Sequence, residues 1–286
     1  MSVSRVSPVR SLLRRPGRLA ADAAALLVAV VVAFPLYWML LSALKPAGEI
    51  QSTSPRPWTL SPSLDSFRRV FEQQEFGRYF LNSLLVAGTV VVASAAIAFL
   101  AATAVTRFRF RFRTTLLVMF LVAQMVPVEA LTIPLFFLMR DAGLLNTLGS
   151  LVLPHLAFSL PFAIWMLRGF VQAVPEALEE QAALDGASRT RFLWQILFPL
   201  VLPGLVATSV FSFISTWNDF LFAKSFLISD TSQSTLPMAL LVFFKPDEND
   251  WGGIMAGSTV MTIPVLVFFV LVQRRLVSGL GGAVKD

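Results

Sequence analysis

The sequence predicts an all-α integral membrane protein, and three observations predict it. Of 286 residues, 56% are hydrophobic and only 14% are charged, a composition suited to a polytopic bilayer protein. The apolar residues fall into six long runs separated by polar stretches. The basic residues cluster at the ends of those runs rather than in a domain of their own. The net charge of +6 therefore reads as membrane topology, and nucleic acid is not an expected partner. The sequence holds no Cys, which excludes disulfides and thiolate chemistry.

Residues 1–18 are polar and basic, with Arg5, Arg10, Arg14, Arg15 and Arg18. Residues 19–44 form the first apolar run, longer than the core of a secretory signal, so a retained spanning helix is expected. A polar loop follows, with Pro46, Pro55, Pro57 and Pro62. Within it, Phe67, Val70 and Phe71 have helical spacing and predict a short amphipathic surface helix. The second span is expected over 79–106. Arg107, Arg109, Arg111 and Arg113 then alternate with Phe108, Phe110 and Phe112. That alternation could mark a strand or an RNA-binding face. Its place between two spans favours a tight turn, with arginines among lipid headgroups and rings at the interface.

The third span is expected over 115–138, broken by Pro127 and Pro134, and the fourth over 148–167. The fifth is expected over 203–222 and the sixth over 254–272, with a polar loop from Lys224 to Gly253 between them. Residues 273–286 read as a Gly-rich tail. Six spans put both ends on one side. Most of the 23 basic residues fall on that side: the first 18 residues, the arginine turn, Arg168, Arg189, Arg191, Arg274, Arg275 and Lys285. The charge bias places both termini in the cytoplasm.

The stretch Pro175–Pro203 is the long polar interruption in the second half, and it falls on the same side. Pro175 suits a first helical position, and Glu176, Glu179 and Glu180 complement the dipole of an opening turn. Gly186 suits a left-handed helix end, and Ser188 can cap a second helix, which Pro199 and Pro203 would interrupt. Two short helices with a turn exceed what a linker needs and suggest a docking element.

Inside the spans, Glu129 lies 14 residues beyond Thr115, or roughly 21 Å along a straight helix at ~1.5 Å per residue. Trp217, Asn218 and Asp219 lie at a similar depth beyond Pro203. Carboxylates at such depth face a cavity or a partner. Trp beside Asn and Asp also suits a sugar site, with ring stacking and hydroxyl hydrogen bonds. The competing reading is that these groups cap broken helices, as the nearby prolines allow. His155, the single histidine, reads first as a hydrogen-bonded interior residue and second as a cavity-lining group. The sequence has no GxxxxGK[ST], HExxH or GxSxG motif and no metal-ligand cluster. No catalytic residue, metal site or bound cofactor is expected. Taken alone, Glu129 and Asp219 also fit a secondary sugar transporter driven by an ion gradient.

The docking stretch resembles the coupling loop of ABC importer permeases. That loop reads Glu-Ala-Ala, three residues, Gly, nine residues, Ile-x-Leu-Pro. Here the register is Glu180-Gln181-Ala182, Gly186 and Ile196-Leu197-Phe198-Pro199. Gln181 replaces the first Ala and Phe198 replaces Leu. Asp185-Gly186-Ala187-Ser188, Leu41–Pro46, Asn82-Ser83 and the Gln273–Val277 tail are similar to the maltose-type second permease of carbohydrate importers. The resemblance implies a six-helix type I ABC importer permease fold with cytoplasmic coupling helices. It implies a cell-membrane location and a heterodimer with a second, homologous permease. It also implies two ATPase subunits that carry ATP and Mg, and an extracytoplasmic sugar-binding protein. By the same likeness, Glu179, Glu180, Gln181, Ala182, Asp185, Gly186 and Ala187 contact an ATPase. Leu236, Pro237, Asp250 and Trp251 meet the binding protein. The Phe244–Gly253 segment and the Val260–Val265 run after it resemble diacetylchitobiose importer permeases.

Overall fold

The computed structural model describes residues 16–72, 75–229 and 231–280. Most of the N-terminal basic segment and the last six residues, 281–286, lie outside the described residues. The regular structure among the described residues is all helical, with no strand. Among them, five helical runs are long and apolar enough to cross a membrane: Leu19–Leu44, Phe76–Arg107, Gly149–Ala173, Arg189–Trp217 and Trp251–Gln273. A sixth crossing comes from a bent pair, Arg113–Ala123 and Val128–Asp141.

The helices are α1 (Pro16–Leu44), α2 (Ala47–Ile50), α3 (Asp65–Glu72), α4 (Phe76–Arg107), α5 (Arg113–Ala123) and α6 (Thr132–Asp141). They continue with α7 (Gly149–Ala173), α8 (Glu176–Leu184), α9 (Arg189–Arg191), α10 (Phe198–Trp217), α11 (Leu221–Phe226), α12 (Leu236–Ala239) and α13 (Trp251–Leu280). The centre of the bundle is α4, packed against α7 and α10. Helix α13 packs on α10 and carries α1 on its far side. The apolar part of α1 has no buried residue in its most hydrophobic window, so its side chains are left for lipid or another subunit.

The third crossing is broken at Pro127, as expected, but not at Pro134. The chain turns by 94° between α5 and α6. Pro127 has no N–H and disfavours helical backbone at Val126, which accounts for a break there. Pro134 does not break the chain. It sits in the first turn of α6, where no intrahelical donor is lost. Gln124 Nε2 donates to the Phe158 carbonyl of α7 at 3.1 Å and ties the elbow down. At the far end of α6, Gly143 is left-handed (φ 68°), and Gly143 N–H and Leu144 N–H return to the Arg140 and Met139 carbonyls. That is a Schellman ending, and it lets the chain reverse into α7.

The fifth crossing also differs from expectation. Ser188 caps it as expected, its hydroxyl accepting from Arg191 N–H at 3.2 Å. Pro199 and Pro203 do not interrupt it. The run continues through a π-helical turn, Phe192–Leu197, into α10. A proline ring clashes with the carbonyl four residues back. For Pro199 that carbonyl belongs to Gln195, inside the wider turn, where the clash is relieved. Helix α10 then stops at Trp217. Leu221–Phe226 resumes as the separate α11 rather than completing a span to residue 222.

Three apolar clusters hold the bundle. One joins α4, α7, α8 and the π-helical turn through Phe99, Leu167, Ala182, Phe192 and Leu197. A second, at the opposite end, gathers Ala43, Val70, Phe76, Trp217, Leu236 and Phe243. A third joins Met139, Leu151, Phe222 and Phe226, with Val128 of the elbow and Phe158 packed against it.

Candidate functional site

The Pro175–Pro203 stretch opens with a hairpin of α8 and α9. Helix α8 begins after Pro175, whose ψ of 138° directs the chain out of α7. Two carboxylates, Glu176 and Glu179, occupy its first turn. It ends in a Schellman motif: Ala187 N–H donates to the Ala182 carbonyl at 2.8 Å, and Gly186 N–H to the Ala183 carbonyl at 3.1 Å. Gly186 sits at φ 79°, a conformation nearly free for Gly and costly for a side chain. A Cβ placed there would meet nothing within 4 Å. Backbone conformation, and not crowding, requires the glycine.

The hairpin has an inner and an outer face. Ala182 is buried in the cluster below, whereas Glu180, Gln181, Asp185 and Gly186 are exposed. The longer side chain of Gln181 therefore adds to the free surface and does not crowd the core. Leu184, on the same face as Gln181, is 88% exposed. An isolated leucine so open on a capped helix is what a partner would cover. Helical spacing sets it three residues beyond Gln181, one turn along α8.

Arg107 anchors the hairpin. This residue ends α4, and its side chain is only 7% exposed. Its Nη2 donates to the Val174 carbonyl at 2.7 Å, an acceptor left over at the end of α7. Its Nη1 lies 3.7 Å from Glu176, and its Nε lies 3.6 Å from Glu179. The expected headgroup role is therefore wrong for this member of the arginine turn. The structure turns it inward and makes it the link between the second crossing and α8.

The polar groups within the crossings separate into two kinds. Trp217 is 1% exposed. Phe213 stacks on it at 5.5 Å, Phe80 meets it edge-on at 5.8 Å, and its Nε1 donates to the Met261 carbonyl at 3.0 Å. Its ring faces are occupied within the chain and leave no surface for a sugar. Asp219 Oδ1 and Oδ2 accept from the N–H groups of Phe222 and Ala223 at 3.2 and 3.1 Å, so it caps α11. His155 Nε2 stands 3.5 Å from Asp219, and the ring lies edge-on to Phe222 at 5.6 Å. Both side chains are buried. Asn218 and Glu129 are exposed on this chain. Asn218 Nδ2 donates to the Ile214 carbonyl at 3.0 Å. Glu129 lies in the 3₁₀ turn of the elbow. Helix α5 is 11 residues long, about 16 Å, before the chain turns. The straight-helix depth expected for Glu129 is thus replaced by a place at the bend.

At the opposite end of the bundle a second scaffold appears. Asn82 Nδ2 donates to the Ser232 and Ser234 carbonyls at 3.0 and 2.9 Å, and Ser83 Oγ accepts from Leu236 N–H at 2.8 Å. These two side chains fasten the Lys224–Gly253 loop to α4. Leu236 and Pro237 are buried beneath it and offer little to a partner. Asp250 forms a forked pair with Arg69 of α3, at 3.1 and 3.2 Å, and accepts from Gly253 N–H at 2.9 Å. Trp251 beside it is exposed. Burial raises the Asp250 carboxyl, but the Gly253 amide, Arg69 and Lys245 outweigh it and hold the group below its usual range.

Residues 94–281 match the family model described as the binding-protein-dependent transport system inner membrane component. The chain belongs to that family. These permeases include the diacetylchitobiose uptake system permease DasC of Streptomyces coelicolor, 39% identical over 94% of this chain and 98% of its own length. The trehalose transport system permease SugB of Mycobacterium tuberculosis is 35% identical over 88% and 92% of the two chains. Among solved structures, a chain of a bacterial ABC transporter that imports alginate superposes with a TM-score of 0.75 at 18% identity, covering 95% of this chain and 99% of that one. The six-crossing permease architecture is shared with it. The capped hairpin α8–α9 lies within the matched region of the permease.

Proposed function

We propose that this permease is half of the membrane path of an ATP-driven, binding-protein-dependent importer of a di- or oligosaccharide. A second, homologous permease supplies the other half. Two ATPase subunits, which hold ATP and Mg, dock on the exposed face of α8 formed by Glu180, Gln181, Leu184 and Asp185. Both termini lie with that face in the cytoplasm, and this chain performs no catalysis itself.

The observation that carries the reading is the state of α8. It is closed at its C-terminus by a Schellman ending, tied to α4 through Arg107 on its inner side and bare on its outer side. A helix held that way transmits force as a lever. ATP closes the ATPase pair, the hairpin follows, and the crossings exchange inward-open for outward-open. For that exchange, ATP and the loaded binding protein must each prefer the outward state. Trp251 and the Arg69–Asp250 scaffold form the surface for the binding protein. Glu129 and Asn218 line the path shared with the second permease.

N,N'-Diacetylchitobiose is the first sugar to test, because the Streptomyces coelicolor diacetylchitobiose permease resembles this chain over nearly its whole length. The experiment is co-expression with the products of neighbouring genes, followed by sugar-stimulated ATP hydrolysis in lipid vesicles. Stimulation that requires the binding protein and sugar is expected. Uptake by the purified chain alone, driven by an ion gradient without ATP, would replace this reading with a secondary transporter.

A further inference from the structure

A cavity of about 700 Å³ lies between the Arg107–Arg113 turn and the α8–α9 hairpin. Four guanidiniums and three carboxylates line it. Two of those carboxylates, Glu176 and Glu179, are held by Arg107. Among the described residues, Arg109, Arg113 and Arg189 have no acidic partner within ion-pair distance, and Glu180 is the one lining carboxylate left among them. Arg111 does not line the cavity. The intervening rings of the same turn, Phe108, Phe110 and Phe112, are 52%, 42% and 67% exposed.

We propose that this cavity binds the headgroup phosphate of an anionic phospholipid, between Arg109 and Arg113 on one wall and Arg189 on the other. Guanidinium forks match phosphate oxygens, and basic pockets at the membrane edge take anionic headgroups. The exposed phenylalanines decide between a lipid and a soluble phosphate. They need an apolar cover, which acyl chains supply and an inorganic ion does not. The site joins the arginine turn to the hairpin, so a bound lipid bridges the second crossing and α8.

The test uses the full-length permease purified with its partner subunits and titrated with phosphatidylglycerol or phosphatidylcholine, read by native mass spectrometry. Phosphatidylglycerol should bind about a hundredfold tighter, at about fivefold for each of the three arginines. R109Q/R113Q should lower that preference about 25-fold. R111Q, on the same turn but outside the cavity, should change it less than about twofold. If the double variant does not assemble, R189Q on the opposite wall decides, with an expected loss of about fivefold. Equal binding of the two lipids overturns the proposal. So does an R189Q complex with unchanged preference, or an R111Q loss as large as the double variant's, which would mean diffuse attraction. Displacement of phosphatidylglycerol by an equal concentration of inorganic phosphate would assign the cavity to a soluble anion and overturn the lipid.

Discussion

A guanidinium buried at the end of a membrane helix has to find compensation, because an unpaired buried charge costs several kcal/mol. Arg107 finds it in the Val174 carbonyl and in Glu176 and Glu179. Glu176 is largely exposed, so its share is small. The carbonyl bond carries more, about 2 kcal/mol for a charge-assisted hydrogen bond. R107Q should therefore loosen α8 without unfolding the bundle. The expected outcome is sugar uptake reduced about tenfold or more per ATP hydrolysed, measured as the ratio of the two rates in vesicles. Trp217 poses the opposite case. W217F keeps the aromatic packing and loses the bond to Met261. It should cost about 1 kcal/mol in thermal stability while uptake stays near normal; abolished uptake at normal stability would return Trp217 to the sugar path.

Asp250 gives a pH prediction at the same scale. Its folded pKa is depressed, so its contribution is complete above the unfolded value, about 3.9. It is lost as pH falls through the lower folded value. The melting temperatures of wild type and D250N should differ at pH 7 and converge as the medium is acidified below about pH 4. A gap that widens in acid would reverse the assigned direction.

At the scale of elements, the hairpin depends on one backbone conformation. Gly186 is left-handed in open space. A branched side chain there carries a strain of about 1–2 kcal/mol, whereas Asn tolerates the conformation. G186V should weaken capture of the ATPase subunit in a pull-down, and G186N should retain most of it. Equal capture by both would show that α8 docks without its Schellman ending. Breaks elsewhere serve different ends. The α5–α6 elbow and the α10–α11 break both pack on the cluster around Phe222, with Val128 from one and Phe226 from the other. Two interrupted crossings thus both pack against α7, and irregular backbone covered by protein is what survives at membrane depth.

Much of this was legible before the fold was known. The apolar runs, Ser188 as a cap and Gly186 as a helix end could all be read from the sequence, because each is a local rule about hydrogen bonds or backbone dihedrals. The 94° elbow was half legible. Pro127 marks a break, but a proline does not set an angle. The survival of α10 through Pro199 was hidden, since a π-helical turn is not signalled by spacing.

For the molecule as a whole, the sequence by itself determined the class, the number and order of the crossings and the position of the α8–α9 hairpin. Hydropathy, caps and a fixed motif register act over a few turns of chain. Only the tertiary structure decided which polar groups are spent inside the chain and which are left for others. It buried Trp217 between Phe213 and Phe80, turned Asp219 onto the amides of α11 and drew Arg107 under α8. It left Glu129, Asn218 and Leu184 exposed. The reason is that a side chain's partners come from helices distant in sequence, and their distances are fixed by packing, which no local pattern encodes.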